Sequence, residues 1–548
     1  MAHRVTRRQF ISSSAAALAL GVGASGVAPR ASAAVDPVDL GVLRAGSGGA
    51  AGGRIVGLID AHAHLAASKA FGGTMRCGSP IGPIQEALAG CEAHAGLGTG
   101  ALLEAIVGGG DLAAGRDGWP TFRTWPTYNS ELHEQAYYRF VERAWRGGLR
   151  VINALLVSNR VIAELYSGMS KRIDEMDEVR VQHRFVHRMQ DYIDRECGGP
   201  GKGWFRIART PADVRTVAAD GKLAVVLGVE NSELFGGRIV DGRPQCTADD
   251  VDRGLDEMVS LGINNLFPVH KFDNAFGGTR FDPGVTGIAI NIGNRLSTGR
   301  FWRAEPAGDG PADHSVEFAA DDFARLLRSV PALRGVGVPV YPSGPVRNVR
   351  GLTDLGRRVV AGMMDRGMIV NIDHMGVTTA TSVLEMLETR SYSGVMSAHS
   401  WADRTILHRT VALSGFAAGY SHPAHHSDDG GIGFLDEWKA NRSGPRVGGY
   451  GYGSDVNGLA PLPEPTAETT LRYPFTAING ARMTRMRAGT RVYDLNDDGV
   501  PHYGLYPDWC ADLLDQAGAE GPALRGDLLS GAEAFTSMWE RARAGSGL

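Results

Sequence analysis

The chain has 548 residues, 43% hydrophobic and 21% charged, with 56 basic and 60 acidic side chains for a formal net charge of −4. That is apolar matter enough for a large core, and so even a charge balance excludes a highly charged disordered chain and the basic footprint of a nucleic-acid binder. Glycine, at 75 positions, is well above its ordinary share, yet it shows no Gly-X-Y period, which excludes collagen, and apolar blocks along the whole chain exclude a low-complexity linker.

Arg7 and Arg8 stand ahead of Gln9-Phe10-Ile11, an apolar and small-residue run extends from Ala15 to Val27, and Ala31-Ser32-Ala33 follows. This is the order of an export leader: charged region, short apolar region, small-x-small cleavage site, with the arginine pair of the Tat route. The run is too short and too rich in Gly and Ser for the roughly 20 apolar residues of a bilayer span. The reading is a signal peptide over 1–33 handled by the Tat export machinery, a secreted or periplasmic mature protein, and no transmembrane segment. Residues 34–53, rich in Ala, Gly and Pro, read as a flexible lead-in. The five cysteines, Cys77, Cys91, Cys197, Cys246 and Cys510, form no CxxC pair. A zinc ribbon is therefore not expected, and one or two disulfides are allowed without their pairing being readable.

Apolar runs bounded by Gly or polar residues then recur at Gly53–Asp60, Leu149–Val157, Leu223–Glu230, Asn265–His270, Met368–His374, Gly394–His399, Thr410–Ala418 and Gly448–Asp455. Each has the length and composition of a buried strand. Amphipathic helices are expected at Ser130–Arg146 and Asp174–Glu196. Two Gly/Pro-rich stretches, about 66–145 and 275–350, read as excursions. Eight strands alternating with helices predict an α/β fold: an elaborated (β/α)8, TIM-like barrel over 54–480, with large insertions after strand 1 and strand 4 and a helical extension, 481–548, packed on it.

The first strand runs into His62-Ala63-His64. Residues i and i+2 of a strand share a face, so both imidazoles can enter one cavity, as half of a divalent metal site or as plain polar strand-end residues. What favours the metal is that Glu230, His270, His374, His399 and Asp455 each close a predicted strand in the same way. Strand C-terminal ends are where such barrels build their active sites. His374 and His399 are 25 residues apart, one βα unit; His399 and Asp455 are 56 apart, two units; Glu230 and His270 are 40 apart. The two long intervals coincide with the two excursions.

In this order the motifs resemble the membrane (renal) dipeptidase family, peptidase M19, of the amidohydrolase superfamily. The resemblance lies in Gly228-Val229-Glu230, the run from Leu266 to Phe276, the run from Ile369 to Gly376, Ser397-Ala398-His399-Ser400, and the run from Gly453 to Gly458. It implies two divalent metal ions, zinc expected, with His62 and His64 on one, His374 and His399 on the other and Glu230 bridging. It further implies His270 as the group that polarises the scissile carbonyl or holds its oxyanion, and Asp455 as general base and acid. Arg409 would grip a substrate carboxylate, with Arg404 competing for that role. The implied reaction is amide hydrolysis in a dipeptide or similar small amide by hydroxide bridging the metals. HxH departs from the family's HxD and replaces an anionic oxygen by a neutral nitrogen. Two other readings stay open: action on a lactone or other ester, and a non-catalytic binding protein on the same barrel. The partner expected is a small-molecule or peptide substrate; nucleic acid is not, and homo-oligomerisation is left open.

Weaker signals complete the reading. His183 and His187 share a helix face, more in the manner of a solvated face than a ligand pair. Asp494, Asn496, Asp498 and Gly499 imitate the start of an EF-hand, but position twelve would be Leu505, so a polar turn is expected. His422, His425 and His426 follow the seventh strand as a His-rich loop. Trp119, Trp125 and Tyr128 either cap the cavity or pack the first insertion down.

Overall fold

Eight parallel strands close on themselves: β1 (Leu58–Ala63), β2 (Leu149–Ser158), β3 (Leu223–Asn231), β4 (Ile263–Leu266), β5 (Ile369–Asn371), β6 (Val395–Ser397), β7 (Phe416–Tyr420) and β8 (Gly451–Gly453). The computed structural model describes residues 37–91, 117–166, 172–425, 432–444 and 448–547. The export leader, the start of the lead-in, part of the first insertion and His426 lie outside them. Closure is direct, with Tyr452 of β8 opposite Asp60 of β1 and Asn265 and Leu266 of β4 opposite Gly228 and Val229 of β3. A short extra strand, Phe205–Ala208, pairs with Leu223 to Val226 on the same edge of β3, so β4 joins β3 only from Leu227 onward. Every residue of β1, β2 and β3 is buried, as expected for strands covered on both faces.

The barrel interior is filled by Ile59, Ala61, Val151, Leu155, Ala224, Val226, Phe267, Ile369, Met396, Ala398, Phe416 and Ala418. Phe535, Met538 and Trp539 join this cluster from the last helix, Gly531–Gly545. That helix plugs the strands' N-terminal ends, Phe535 lying edge-on to Phe416, and so leaves the C-terminal ends as the mouth. Among the described residues no helix is long and apolar enough to cross a membrane.

Several elements differ from expectation. The lead-in is not flexible from Pro37 on: Val38–Asp39 pairs with Met486–Ala488, and Val42–Arg44 pairs with Arg482–Met483, because Val38 and Leu40 bury apolar side chains there. The C-terminal extension therefore begins as strands and, apart from short turns at Leu495–Asp498 and Tyr503–Leu505, turns helical from Tyr506–Gln516 on. The segment Gly53–Asp60 starts as a hairpin, Gly49–Ala51 against Arg54–Val56, before β1. Asn265–His270 leaves the sheet after Leu266. Thr410–Ala418 splits between helix Arg404–Ala412 and β7, separated by a tight turn at Gly415, where a Cβ would stand 2.5 Å from the Val395 carbonyl oxygen. In Ser130–Arg146 only Tyr138–Arg146 is helical, while the long helix is found at Glu175–Glu196 with Asp174 as its N-cap. Cys77 and Cys91 form a disulfide, and Cys197, Cys246 and Cys510 are free.

One buried cation ties these additions to the barrel. Arg143, on helix Tyr138–Arg146, donates from Nε to the Leu40 carbonyl at 2.8 Å, from Nη2 to the Thr484 carbonyl at 2.8 Å and from Nη1 to the Gly504 carbonyl at 2.5 Å, and it pairs with the Asp508 carboxylate. Lead-in, C-terminal strands and C-terminal helices thus meet on a single guanidinium. Removing one member of a wholly buried pair costs about 3–5 kcal/mol. Arg143→Met is expected to lose that much stability, read as a lower urea midpoint at unchanged slope.

Candidate metal centre

The predicted ligands converge at the barrel mouth. His62 lies within β1 and His64 one residue beyond it, Glu230 lies near the end of β3, and His374, His399 and Asp455 follow β5, β6 and β8 within three residues. Two of these turns are sharp. His374 (φ 65°) and Asp455 (φ 48°) occupy the left-handed region that non-glycine residues rarely adopt, a strain that persists where surrounding contacts enforce it. Gly458 makes room for one of them, since a Cβ there would stand 1.8 Å from Asp455 Oδ1.

One carboxylate sits between two groups of imidazoles. Glu230 Oε2 is 3.2 Å from both His62 Nε2 and His64 Nε2, while Oε1 is 3.3 Å from His374 Nε2 and 3.4 Å from His270 Nε2. His62 Nε2 and His64 Nε2 are 3.1 Å apart, as are His374 Nε2 and His399 Nε2. Asp455 Oδ1 completes the first group at 3.3 Å from His62 Nε2 and 3.0 Å from His64 Nε2. The His62 and His399 rings stack at 4.2 Å, holding the two halves side by side.

These separations pass a simple test of fit. Ligand atoms about 2.0–2.1 Å from a tetrahedral zinc stand about 3.3–3.4 Å from one another. Around His62, His64, Glu230 Oε2 and Asp455 Oδ1, five of the six edges are 3.0–3.3 Å. Glu230 Oε1, buried and without a hydrogen-bond partner, is the corresponding orphan on the other side. There the residues at ligand spacing are Glu230, His270 and His374, with His399 reached through His374. His270 is thus closer to Glu230 than a purely substrate-facing role requires, and His399 makes no contact with Glu230 within 4 Å among the described residues.

Outer contacts fix which nitrogen points inward. His64 Nδ1 meets the Leu155 carbonyl oxygen at 3.0 Å, and His399 Nδ1 meets Asp373 Oδ2 at 2.8 Å. Asp373 also accepts the Ser397 hydroxyl and the backbone N–H groups of Ala398 and His399, all at 2.6–2.9 Å. A carboxylate behind a ligating imidazole raises its basicity and locks its tautomer. Asp373 is a functional residue that strand-end reading passed over, although its place directly before His374 was the available signal. Asp60 does similar work across the closure, accepting the N–H groups of His62 and Ser454 and the Tyr503 hydroxyl at 2.7–3.1 Å. Burial lifts its carboxyl to about 6.

Electrostatics follow from this crowding. Burial alone would raise Glu230, but the positive charge of His62 beside it outweighs burial and holds it well below the usual carboxylate range. Asp455 is likewise held low against burial, by hydrogen bonds from His62 and His64. His62 moves the other way, to about 10, because Glu230 and Asp455 outweigh its burial. Burial keeps His270 neutral, at about 4. Without a cation the cluster balances its two carboxylates with protons, and those protons must leave when a metal enters.

The remaining candidates lie elsewhere. Arg409 is not at the mouth; it sits on helix Arg404–Ala412 on the side that faces the neighbouring helix Val377–Thr389, in a two-pronged pair with Glu388 of that helix, both bonds 2.9 Å. Arg404 donates to the Ala440 carbonyl. His183 meets the Leu261 carbonyl rather than a ligand set, and Asp494 caps a short helical turn, Leu495–Asp498. His422 packs against Tyr420, and His425 lies 3.7 Å from Asp436. Trp125 is buried against His133 and packs the insertion down.

Neither a family model nor a curated protein matches the chain. Among solved structures it is similar to an amidohydrolase from Pseudomonas aeruginosa (13% identity, 74% of this chain and 92% of that one, TM-score 0.39). It is also similar to a metallopeptidase from Rhodobacter sphaeroides liganded with a phosphinate mimic of the dipeptide L-Ala-D-Ala (14%, 73% and 89%, TM-score 0.42) and to a probable dipeptidase from Pseudomonas aeruginosa (14%, 74% and 88%, TM-score 0.35). The overlaps are too loose to bring any residue's role with them.

Two tests follow from the geometry. Glu230→Ala is expected to abolish divalent-cation binding at the cluster, seen as loss of metal by elemental analysis and of metal-dependent thermal stabilisation. Asp373→Asn, which keeps the shape but not the charge behind His399, is expected to weaken binding at the second position about 10–100-fold and leave the first intact, read by competition with a chromophoric chelator.

Proposed function

We propose that this protein is an exported, binuclear metal-dependent hydrolase that cleaves the amide bond of a dipeptide or similar small amide. The observation that carries the reading is the Glu230 carboxylate set between two groups of imidazole Nε2 atoms, with a second carboxylate, Asp455, on the open side. His62, His64, Glu230 and Asp455 would hold one cation, and Glu230, His374 and His399, with His270 adjacent, the other. Bound there, divalent metals supply a water of lowered pKa and polarise a carbonyl.

The chain's own groups account for the proton traffic. The Asp455 side chain is 14% exposed against 1–9% for Glu230 and the histidines near it, so it is the acidic group that meets incoming substrate. Held ionised, it can take a proton from the attacking water and return it to the leaving amine. His270 is neutral, and its Nδ1 lies 3.4 Å from the Ser232 hydroxyl. With Nδ1 accepting from that hydroxyl, the proton rests on Nε2 and can be donated to a carbonyl oxygen as charge develops on it. Because His270 stays uncharged, it adds no positive charge to repel the two cations.

The metal-loaded protein is expected to release free amino acids from a dipeptide panel that includes D-residues at the C-terminal side, and to stop when chelated. Asp455→Asn should lower kcat about 10²–10⁴-fold. Turnover of esters or lactones with no amide cleavage would overturn the amide assignment, and a tightly bound ligand with no turnover of either class would overturn the enzyme. Export rests on the leader alone: replacing Arg7 and Arg8 by Lys is expected to strand uncleaved precursor in the cytoplasm, visible by fractionation.

A further inference from the structure

A group of cationic side chains beside the second histidine pair plays no part in the chemistry above. Arg280, 9% exposed, belongs to the excursion after β4 and donates its backbone N–H to the His374 carbonyl at 2.7 Å. Its guanidinium lies 5.9 Å from the centre of the Trp401 ring, and the Lys271 ammonium lies 5.5 Å from the same ring. That ring is 6.2 Å from the His374 imidazole and 4.8 Å from His314. The Trp401 ring thus lies next to both the cationic group and the histidine cluster.

The guanidinium makes no hydrogen bond and comes within 4 Å of no carboxylate among the described residues. Its Nε and Nη1 are buried and unpartnered, and so is Trp401 Nε1. The nearby acids act on it only at longer range and are engaged elsewhere. Asp282 Oδ1 holds Lys271 at 2.9 Å, and Asp313 accepts the N–H groups of Asn348 and Val377 at 2.8 and 3.1 Å. Asp403 caps helix Arg404–Ala412, and Asp373 is bound to His399. A buried cation without a partner is costly, and the edge of a guanidinium matches a carboxylate in shape as well as charge.

We propose that Arg280, supported by Trp401 Nε1 and Lys271, is the subsite for a carboxylate of the substrate, so that the protein selects small amides carrying a free carboxylate on the His374 side of the cluster. The inference rests on the hydrolase reading for the word substrate; the binding site itself does not depend on turnover. It moves the recognition of the anion from Arg409, on the outer helix, to the excursion after β4.

Calorimetry on the metal-loaded, full-length protein with N-acetylalanine, N-acetylalaninamide and inorganic phosphate tests it. The free acid is expected to bind wild type at least tenfold tighter than the amide. Arg280→Gln should remove that preference, weakening the acid about tenfold with the amide unchanged, while Arg409→Gln changes neither. Should the glutamine variant not fold, Arg280→Lys decides: the proposal requires a reduced preference for the acid, and an unaltered one overturns it. Equal loss of acid and amide in Arg280→Gln, no loss of either, or phosphate binding tighter than the acid also overturns it. A retained acid preference in a protein that hydrolyses no dipeptide would sink the hydrolase reading and leave the subsite standing.

Discussion

Everything at the mouth of this barrel is arranged around the Glu230 carboxylate. Its two oxygens face different sets of imidazoles, 3.2 Å away on one side and 3.3–3.4 Å on the other, in a place where the side chain is almost fully buried. A carboxylate there is stable as an anion only while positive charge surrounds it. Protonated His62 fills that need in the cation-free protein, and divalent ions would fill it more strongly. The same constraint explains why the Nε2 atoms crowd to 3.1 Å of one another: each imidazole is oriented toward the shared anion before it is oriented toward its neighbours.

The rest of the fold serves to keep that crowding from relaxing. Helix Gly531–Gly545 plugs the opposite end of the barrel, so the interior has no slack into which the ligand strands could settle. Asp60 bolts β1 to the turn after β8 and is itself held by Tyr503, a residue of the C-terminal segment. That segment is fixed through Arg143 to the lead-in. A chain of buried polar contacts therefore runs from the surface additions to the back of His62, and the long C-terminal region is part of the site's support.

Strand ends were the legible part of the sequence. His62, His64, Glu230, His374, His399 and Asp455 could be assembled from spacing because a (β/α)8 barrel converts chain distance into angular position, and all eight strands occur in the expected order. What sequence could not supply was anything decided by packing between distant segments. The lead-in looked mobile because its composition is small and flexible, yet Val38 and Leu40 find apolar partners more than 400 residues away. Thr410 and Val411 looked like strand because helix and strand faces are indistinguishable in a short apolar run, and only the turn at Gly415 separates them. Arg409 lay at the right distance from His399, but distance along a helix does not choose which side faces the mouth. Asp373 was hidden for the opposite reason: its contact is with His399, 26 residues away, and its place directly before His374 was the one trace of it in the sequence.

The HxH departure also finds its physical place. A second nitrogen in the first group removes an anionic oxygen that an HxD strand end would provide, and Asp455 Oδ1, 3.0 Å from His64 Nε2, supplies one from the neighbouring strand β8. Among the described residues the two carboxylates, Glu230 and Asp455, are then the only anions in direct contact with the ligand nitrogens apart from Asp373 behind His399. Two divalent cations bound there would leave the mouth positive, and Lys271 and Arg280 would extend the positive field along the Trp401 ring. Negative charge on a ligand is therefore favoured twice over, by the centre itself and by its flank. Neutral lactones and esters would meet neither attraction, whereas a small amide ending in a carboxylate would meet both.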